Sequence, residues 1–469
     1  MNRTEEYEAL WAELNDLPPA LDQTVARAEA RTQKARRTRR GITAALSSLA
    51  GVAAAFVLLV NVSLPFARAC GKIPFLRELA RSVAFPPSLS AAVENEYVQP
   101  IDQTQSAGGV TMTVRYLIVD NRQMILFYTL ASDDPELSLE CYPDLHPADG
   151  AADLPEHGLT YGGYPNDDGK TLRTITVVFT DTGSAFPEDF VLNARIRATG
   201  VKEAHTGDQA PAASIYGRPA REEEQELVTL SFPLHVDLSQ IKAERVYEVG
   251  QDVTLDGQTI TVERLEVYPT FMQIVLSDHE ENTAWLVGLN FYLEDQAGNQ
   301  YEQSGGVTAL GSPDSPFWPI HRVDSAYFTN AGSYTLHITG ATWLDKDLSS
   351  VTLDLETGES SPLPELIQDF EFERSGDGYR FEFYLQANNR ALFDHTCWDS
   401  QGVRHDIPIV SFTTRSANDL EDTPDGVDQT PTYSTESFLV EHYTDTEITF
   451  GLSYTRQTTL DTPVTVSIR

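Results

Sequence analysis

Two related stretches decide the fold: GVTMTVRYLIVDNRQMILFYT at Gly109–Thr129 and GQTITVERLEVYPTFMQIVLS at Gly257–Ser277. They align without a gap at an offset of 148 residues and are identical at seven of 21 positions. The conserved positions fall on alternating strand sites rich in Thr and Val, and each stretch begins at a glycine that favours a turn. We therefore predict two tandem copies of one β-domain.

The alternation of apolar and polar residues continues over most of the chain beyond residue 96, as in Thr174–Phe179 and Tyr379–Leu385. Short alternating strands with turns every eight to twelve residues are typical of β-sandwiches. The last hundred residues show this pattern but do not align with the repeat. We expect a mainly β fold of two or three tandem sandwiches with this division: a first domain over 96–203, a linker over 204–225, a second domain over 226–357, a linker over 358–364 and a third domain over 365–469.

The composition excludes several classes of protein. The 469 residues include 33 basic and 70 acidic side chains, a net charge of −37, and 41% hydrophobic residues. This apolar fraction supports real hydrophobic cores, and the negative charge argues against nucleic acid as a partner. Residues 1–40 and 41–100 each carry a net charge of +1, so the negative charge lies beyond residue 100. The uneven charge suggests that the segments face different environments.

An uncharged stretch of 24 residues, Gly41–Leu64, predicts a transmembrane helix. At about 1.5 Å per residue it reaches roughly 36 Å, enough to cross a hydrocarbon core of about 30 Å. A cleaved signal peptide, with Ala67–Ala69 as its cleavage site, is the alternative. We favour the anchor because the polar region before the stretch is 40 residues long. The apolar run is also longer than the hydrophobic region of a signal peptide, which has about 7–15 residues.

A basic segment directly before this stretch predicts its orientation. Because positive charge stays on the cytoplasmic side, we expect a cytoplasmic N-terminus, an extracellular C-terminus and a location in the cell membrane. The same residues should contact anionic membrane lipid and so orient the protein. They are Lys34, Arg36, Arg37, Arg39 and Arg40.

The cytoplasmic tail, residues 1–40, contains one amphipathic helical pattern. Tyr7, Leu10, Trp11 and Leu14 recur at helical spacing and form a stripe too small to close a core of its own. We interpret the stripe as a partner-binding face with Trp11 as its anchor. The alternatives are a helix lying on the inner leaflet and a mostly disordered tail. A second helical pattern, in the juxtamembrane segment 65–95, is expected to end at Pro86-Pro87.

No motif for catalysis or cofactor binding is present. The chain contains no HExxH, no G-x-S-x-G and no phosphate-binding loop, so we predict no enzyme activity, no catalytic residue and no cofactor. Cys70, Cys141 and Cys397 lie in different segments and are expected to be independent thiols and not metal ligands. The acidic cluster Asp419–Asp428 does not match a calcium loop, and we interpret it as solvated.

The residues around the predicted membrane exit resemble a known family. Asn61–Ala67, Lys72–Leu76, Tyr97–Ile101 and Gly109–Val114 follow one another in the order found in the DUF 4179 family (domain of unknown function) of Gram-positive membrane proteins, with Val119-Asp120 ahead of an apolar strand. The second copy of the repeat, followed by Asn290–Asp295, resembles the immunoglobulin-like domain that often comes next. Together the two resemblances cover about residues 1–355.

The resemblance implies an anti-sigma-factor-like regulator. In such proteins the cytosolic tail holds an extracytoplasmic-function sigma factor, and the outer domains sense the envelope. The H-x₃-C-x₂-C zinc pattern of well-known anti-sigma tails is absent, since no cysteine precedes Cys70, so this tail would bind through its helices alone. The alternative is a surface-displayed immunoglobulin-like module that binds an envelope ligand or acts as a spacer, with the tail as an anchor flank only. Neither the signal nor the oligomeric state follows from the sequence.

Overall fold

The computed structural model describes eleven stretches of the chain, and the expectation of a mainly β protein is confirmed for them. These stretches lie within one compact unit, Phe75–Arg469. Expectations for residues before 85 concern parts of the chain outside the described residues. The described stretches are residues 85–134, 137–148, 154–165, 171–180, 187–201, 226–303, 307–312, 315–386, 390–407, 409–416 and 432–469.

The described part of the chain begins with helix α1 (Pro87–Glu94). Its N-terminus follows from the Pro86-Pro87 pair, because a proline in the first turn has the φ angle of a helix and loses no hydrogen bond there. The helical segment that the sequence predicts to end at this pair lies before residue 85, outside the described residues. The described helix begins at the pair.

The first module follows α1 and consists of two antiparallel sheets. One sheet has the order β1-β2-β3-β6-β5 and the other the order β4-β7-β8. Alternating side chains of both sheets pack into one hydrophobic core. The strands are β1 (Gln99–Ala107), β2 (Val110–Val119), β3 (Gln123–Ser132), β4 (Leu137–Pro147), β5 (His157–Pro165), β6 (Thr171–Phe179), β7 (Asp189–Val201) and β8 (Glu226–His235).

The second module begins after a 3₁₀ turn at Leu238–Gln240. One of its sheets has the order β14-β15-β11-β10-β9, and a second contains β13, β12 and β16. Both sheets contribute to one core that includes the fully buried Trp343. The strands are β9 (Arg245–Leu255), β10 (Gln258–Val267), β11 (Met272–Asp278), β12 (Ala284–Asp295), β13 (Gln300–Tyr301), β14 (Ala309–Ser312), β15 (Ser315–Val323) and β16 (Tyr334–Asp345).

The third module has two antiparallel sheets, β17-β24-β20-β21 and β18-β19-β23-β22. Its core is dominated by aromatic side chains in mutual contact, namely Phe381, Phe383, Phe393, Phe438 and Phe450. The strands are β17 (Ser350–Asp354), β18 (Ile367–Ser375), β19 (Gly378–Gln386), β20 (Phe393–Asp399), β21 (Arg404–Asp406), β22 (Ile409–Ser416), β23 (Thr432–Val440) and β24 (Glu447–Leu452).

The last strand, β25 (Arg456–Ile468), returns to the second module. It pairs with β16 in an antiparallel register that places Ile468 opposite Tyr334 and Val466 opposite Leu336. Val466 and Ile468 are both buried in the second core. The third module is therefore inserted between the last two strands of the second.

Strand pairing divides the chain differently from the intervals expected from the sequence. Strand β8 lies in the interval 226–357 but pairs with β7 of the first module. Strand β17 lies in the same interval but pairs with β24 of the third module. Strand β25 lies in the interval 365–469 but pairs with β16 of the second. Alternation along a strand reports which face is buried and carries no information on which sheet receives the strand.

The internal repeat corresponds to equivalent hairpins. Gly108-Gly109 joins β1 to β2 and Asp256-Gly257 joins β9 to β10, and all four residues have positive φ, as a two-residue hairpin turn of this type requires. The pairing register with the next strand shifts between Val114 and Tyr116 in β2, and between Val262 and Arg264 in β10. At the offset of 148 residues these are the same two positions, so the bulge is part of the repeat.

The bulge exchanges the two faces of each strand. In β2 the core residues are Val110, Met112 and Val114 before the bulge, and Leu117 and Val119 after it. In the second copy Ile260 and Val262 precede the bulge, and Leu265 and Val267 follow it. Side chains beyond the bulge at the intervening positions therefore point away from the core, towards a second face of the sheet.

Candidate functional site

Two equivalent turns meet where the first and second modules contact each other. In the β2–β3 turn the backbone N–H of Asp120 donates to the carbonyl of Gln123 at 2.9 Å. In the β10–β11 turn the N–H of Tyr268 donates to the carbonyl of Phe271, also at 2.9 Å. Both turns lie at the same end of their repeat, so the junction brings together equivalent turns of the two modules.

Asp120 is the centre of this contact and is 2% exposed. Its Oδ1 accepts the backbone N–H groups of Arg122 at 2.9 Å and Gln123 at 3.0 Å. Its Oδ2 accepts the hydroxyl of Thr270 from the second module, and the Thr270 hydroxyl oxygen accepts Nε2 of Gln123 at 2.6 Å. Burial raises the pKa of Asp120, although these hydrogen bonds act in the opposite direction.

A second buried carboxylate, Glu266, lies on the outward face of β10. It accepts Nε of Arg264 at 2.7 Å, the hydroxyl of Tyr268 at 2.8 Å and Nε2 of Gln273 at 2.6 Å. Burial alone would raise the pKa of Glu266, but these bonds and the charge of Arg264 lower it. Arg122 of the first module joins the group by donating from Nε to the Tyr268 hydroxyl at 3.1 Å.

Arg322, at the end of β15, brings a buried cation to the junction. It is 4% exposed, and its guanidinium carbon lies 3.9 Å from the centre of the Phe271 ring. Its Nε donates to Oε1 of Gln273 at 3.2 Å, whereas its buried Nη1 has no hydrogen-bond partner within the described part of the chain. Burial lowers the pKa of Arg322 to about 10, although the charge of Asp120 opposes this effect.

Helix α1 is hydrogen bonded to the second module through Ser88. The Ser88 hydroxyl donates to Oδ1 of Asp324 at 2.6 Å and accepts the backbone N–H of Ser325 at 2.7 Å. The Ser325 hydroxyl in turn donates to the carbonyl of Tyr268 at 2.5 Å. One side chain of the helix thus connects it to the β10–β11 turn.

The same helix covers the outward face of the first sheet. Leu89, Ala92 and Val93 are buried against this face. The strand residues that they cover are Tyr116, Ile118, Ile125, Phe127 and Leu172. Because α1 contacts the first sheet and the second module together, a displacement of one module relative to the other has to disturb the helix.

A cavity of about 200 Å³ lies between α1, the first module and the second module. Its volume is below the roughly 300–1,000 Å³ of drug-sized pockets but several times the roughly 30 Å³ of one water molecule. Its wall combines apolar and charged groups, including Ser88, Leu89, Ile125, Phe271, Arg322 and Asp324. A small molecule with both polar and apolar parts matches this lining.

The site residues predicted from the sequence lie outside the described residues. This holds for the partner-binding stripe (Tyr7, Leu10, Trp11, Leu14), the membrane-orienting segment (Lys34, Arg36, Arg37, Arg39, Arg40), Cys70 and the acidic cluster Asp419–Asp428. Cys141 and Cys397 are described, and both are buried in the cores of different modules. Burial raises the pKa of Cys141 to about 12, so this thiol is unreactive at neutral pH.

Within the described ranges, no helix has the length and apolar character that a membrane crossing requires. The stretch that the sequence predicts to cross a membrane, Gly41–Leu64, is not among these residues.

The junction residues were not identified from the sequence, although the repeat contains a signal for them. Beyond the bulge, the two copies agree at core positions and differ at outward ones. Ile118 corresponds to Glu266, and Ile125 corresponds to Gln273. The first copy thus has an apolar outward face that a helix covers, and the second has a polar outward face that forms the buried network.

Comparison with known proteins identifies two families of unknown function in this chain. Residues 34–132 match the model of a domain of unknown function (DUF4179), and residues 244–373 match a family of unknown function (DUF5643). No curated protein matches the chain. One similar solved structure is the crystal structure of the conserved domain protein from Bacillus anthracis, with 14% sequence identity, a TM-score of 0.37, and coverage of 57% of this chain and 85% of that one. The resemblance to DUF4179 inferred from the sequence is confirmed by this match over residues 34–132.

Proposed function

We propose that this chain is a single-pass membrane regulator of the anti-sigma type, without catalytic activity. The observation that carries the proposal is the extent of the DUF4179 match, which spans residues 34–132. The match starts in the basic segment, includes the uncharged stretch 41–64, and ends with α1 and β1–β3. One family domain therefore joins the predicted cytoplasmic flank, the predicted membrane helix and the first strands of the outer region.

The junction supports a role in signalling because α1 is the first described element after the apolar stretch. Ser88 bonds it to the second module, and its apolar face packs on the first. In this proposal, a change in how the two modules meet moves α1, and the movement passes through the membrane segment to the tail. There the stripe of Tyr7, Leu10, Trp11 and Leu14 holds or releases an extracytoplasmic-function sigma factor.

The finer architecture is part of the same proposal. Antiparallel sheets that share a core in pairs are the observation that supports immunoglobulin-like sandwiches for the outer modules. We place these modules on the extracellular side of the cell membrane, in contact with an envelope ligand. The strongly negative charge beyond residue 100 would repel the phosphates of a nucleic acid, so we propose no nucleic-acid partner.

The tail is tested by capturing partners of the tagged full chain from its own cells. We expect a sigma factor to be retained, and Trp11→Ala to reduce its recovery about 30-fold, the effect of losing an anchor worth about 2 kcal/mol. Transcripts that depend on the sigma factor should rise in parallel. Glu13→Ala, away from the predicted stripe, is the matched control and should change neither quantity. If no sigma factor is retained, or if both variants behave alike, the regulatory proposal fails.

A surface-displayed binding or spacer module is the second candidate. It is favoured by the cavity between the first two modules, since a binding module needs a site but no tail function. Deleting residues 1–33, which leaves the basic segment and the apolar stretch in place, separates the candidates. A spacer or binding module keeps its surface display and shows no transcriptional change, whereas a regulator releases its sigma factor.

A further inference from the structure

We propose that the cavity at the junction binds a small zwitterion of the α-amino acid class, with its carboxylate on Arg322, its ammonium group on Asp324 and an apolar side chain against Leu89, Ile125 and Phe271. Binding at this site does not depend on the regulatory function proposed above. Only the interpretation of the ligand as a signal rests on that function.

The cavity wall contains two buried side chains of opposite charge, Arg322 and Asp324. Arg322 is 4% exposed and Asp324 is 9% exposed, and both line the cavity. They are two residues apart in the chain, at the end of β15, so their backbones are held close together. A ligand with one positive and one negative group a few ångströms apart is complementary to such a pair.

Arg322 has donor capacity that the described part of the chain leaves unused. A guanidinium has five N–H groups in a planar fork, which suits a carboxylate with two oxygens. Within the described part of the chain Nε is bonded to Gln273, and the buried Nη1 has no partner. A buried donor without a partner costs free energy, and an entering carboxylate would recover part of this cost.

The surrounding charges favour a ligand with no net charge. Asp120, Glu266 and the cation of Arg122 all act electrostatically on Arg322, and Asp324 is part of the wall. A phosphate with two negative charges would be repelled by these three acids. An amine without a carboxylate would leave Arg322 unmatched, whereas a zwitterion satisfies both signs.

The remaining wall selects for size and apolar character. Leu89 of α1, Ile125 of β3 and Phe271 of the β10–β11 turn supply the apolar contacts. A volume of about 200 Å³ is too small for a peptide or a sugar chain and sufficient for a single branched or aromatic amino acid.

The same geometry couples the ligand to α1. Asp324 accepts the Ser88 hydroxyl at 2.6 Å, and a carboxylate has further lone pairs for an ammonium group. A ligand at this carboxylate therefore binds next to the hydrogen bond that joins α1 to the second module. Occupancy would strengthen or weaken the hold of that module on the helix.

The test is calorimetric titration of the full chain in detergent micelles with L-leucine and with L-phenylalanine. We expect saturable binding of at least one of them at one site per chain. The matched analogues 4-methylpentanoate and 3-methylbutylamine each lack one charged group of leucine and should bind at least about tenfold more weakly. The proposal is overturned if neither amino acid binds, or if both analogues bind as well as leucine.

Two variants assign the binding to this cavity. Thr176→Leu adds bulk to the cavity wall and should abolish binding, while Thr160→Leu, at the paired position on β5 and not in the wall, should retain it. Arg322→Lys should weaken binding at least about tenfold because it removes the planar fork. If Arg322→Lys does not fold, Thr176→Leu decides alone, and unchanged binding in Thr176→Leu refutes the site. A chain that binds leucine without holding a sigma factor refutes the regulatory proposal but not this one.

Discussion

Replacing Ile468 by alanine should destabilise the second module, although this residue lies in β25, which follows the whole third module in the sequence. Ile468 is 1% exposed and packs in the core that contains Trp343, opposite Tyr334 of β16. Truncation of a buried isoleucine to alanine costs about 2–5 kcal/mol. We expect about 2–3 kcal/mol, because Ile468 is the last residue of β25 and the end of a strand can relax into the new cavity.

Hydrogen exchange read by mass spectrometry measures this effect strand by strand. A loss of about 2–3 kcal/mol in the opening free energy corresponds to amide exchange roughly 30- to 150-fold faster. The increase should appear in β16, whose backbone pairs with β25. Ser467→Ala changes an exposed neighbour on the same strand and is the control, for which we expect no measurable difference.

The opposite pattern would refute the reasoning. If β25 belonged to the third module, Ile468→Ala would increase exchange in β19 and leave β16 at its wild-type rate. Equal exchange in β16 for Ile468→Ala and Ser467→Ala would also show that the last strand is not part of the second core.

Three further predictions concern the buried carboxylate of the third module, the helix contact and the repeat turn. Burial raises the pKa of Glu436 to about 8, so its contribution to stability is fully present below its unfolded pKa of about 4.5 and is lost as the pH rises through about 8. The free energy of unfolding in urea should therefore fall between pH 5 and pH 8, and it should fall less for Glu436→Gln than for the wild type. Ser88→Ala removes a hydroxyl that bonds a buried carboxylate and a buried N–H, and should cost about 1–3 kcal/mol in thermal unfolding, whereas Ser90→Ala should be nearly neutral. Gly257→Ala should lower the free energy of unfolding by about 1–2 kcal/mol because the φ of Gly257 is +76°, although a new Cβ would meet no other atom. Gly332→Ala has equally open surroundings but no positive φ, and it should lower the free energy of unfolding by less.

Each of these predictions has a result that contradicts it. An identical pH dependence for Glu436→Gln and the wild type would mean that this carboxyl does not titrate between the two conditions. Equal melting of the Ser88 and Ser90 variants would remove the helix contact from the energetics of the junction. Equal urea midpoints for the two glycine variants would show that the turn does not require a positive φ.

The fold was predictable where the signal is local. The alternation of side chains marks strands such as β10 and β19, and the glycines of the two repeat hairpins occupy positive φ values that other residues avoid. The repeat itself predicted two copies of one unit, and the hairpins, turns and bulges of the copies correspond at the offset of 148 residues. We did not predict the bulge from the sequence. Its signal is that the apolar core positions change from even to odd residue numbers between Val114 and Leu117.

The candidate site was not predictable in the same way. Asp120 and Thr270 are 150 positions apart, and nothing in either turn indicates that it contacts the other. The same holds for Ser88 and Asp324, which are 236 positions apart. Serine, aspartate and arginine side chains are ordinarily solvated, and only the meeting of two modules and a helix buries these side chains together.

By itself the sequence determined the β character of the chain, its repeat, the hairpin turns and the similarity of residues 34–132 to DUF4179, because all of these depend on residues that are neighbours in the chain. Tertiary structure alone decided that β25 completes the second module, that β17 joins the third, and that α1 covers one face of the first. The physical reason is that an alternating strand has the same pattern whichever sheet receives it. Its partner is selected by long-range packing, where core volume, register and the burial of polar groups are satisfied together.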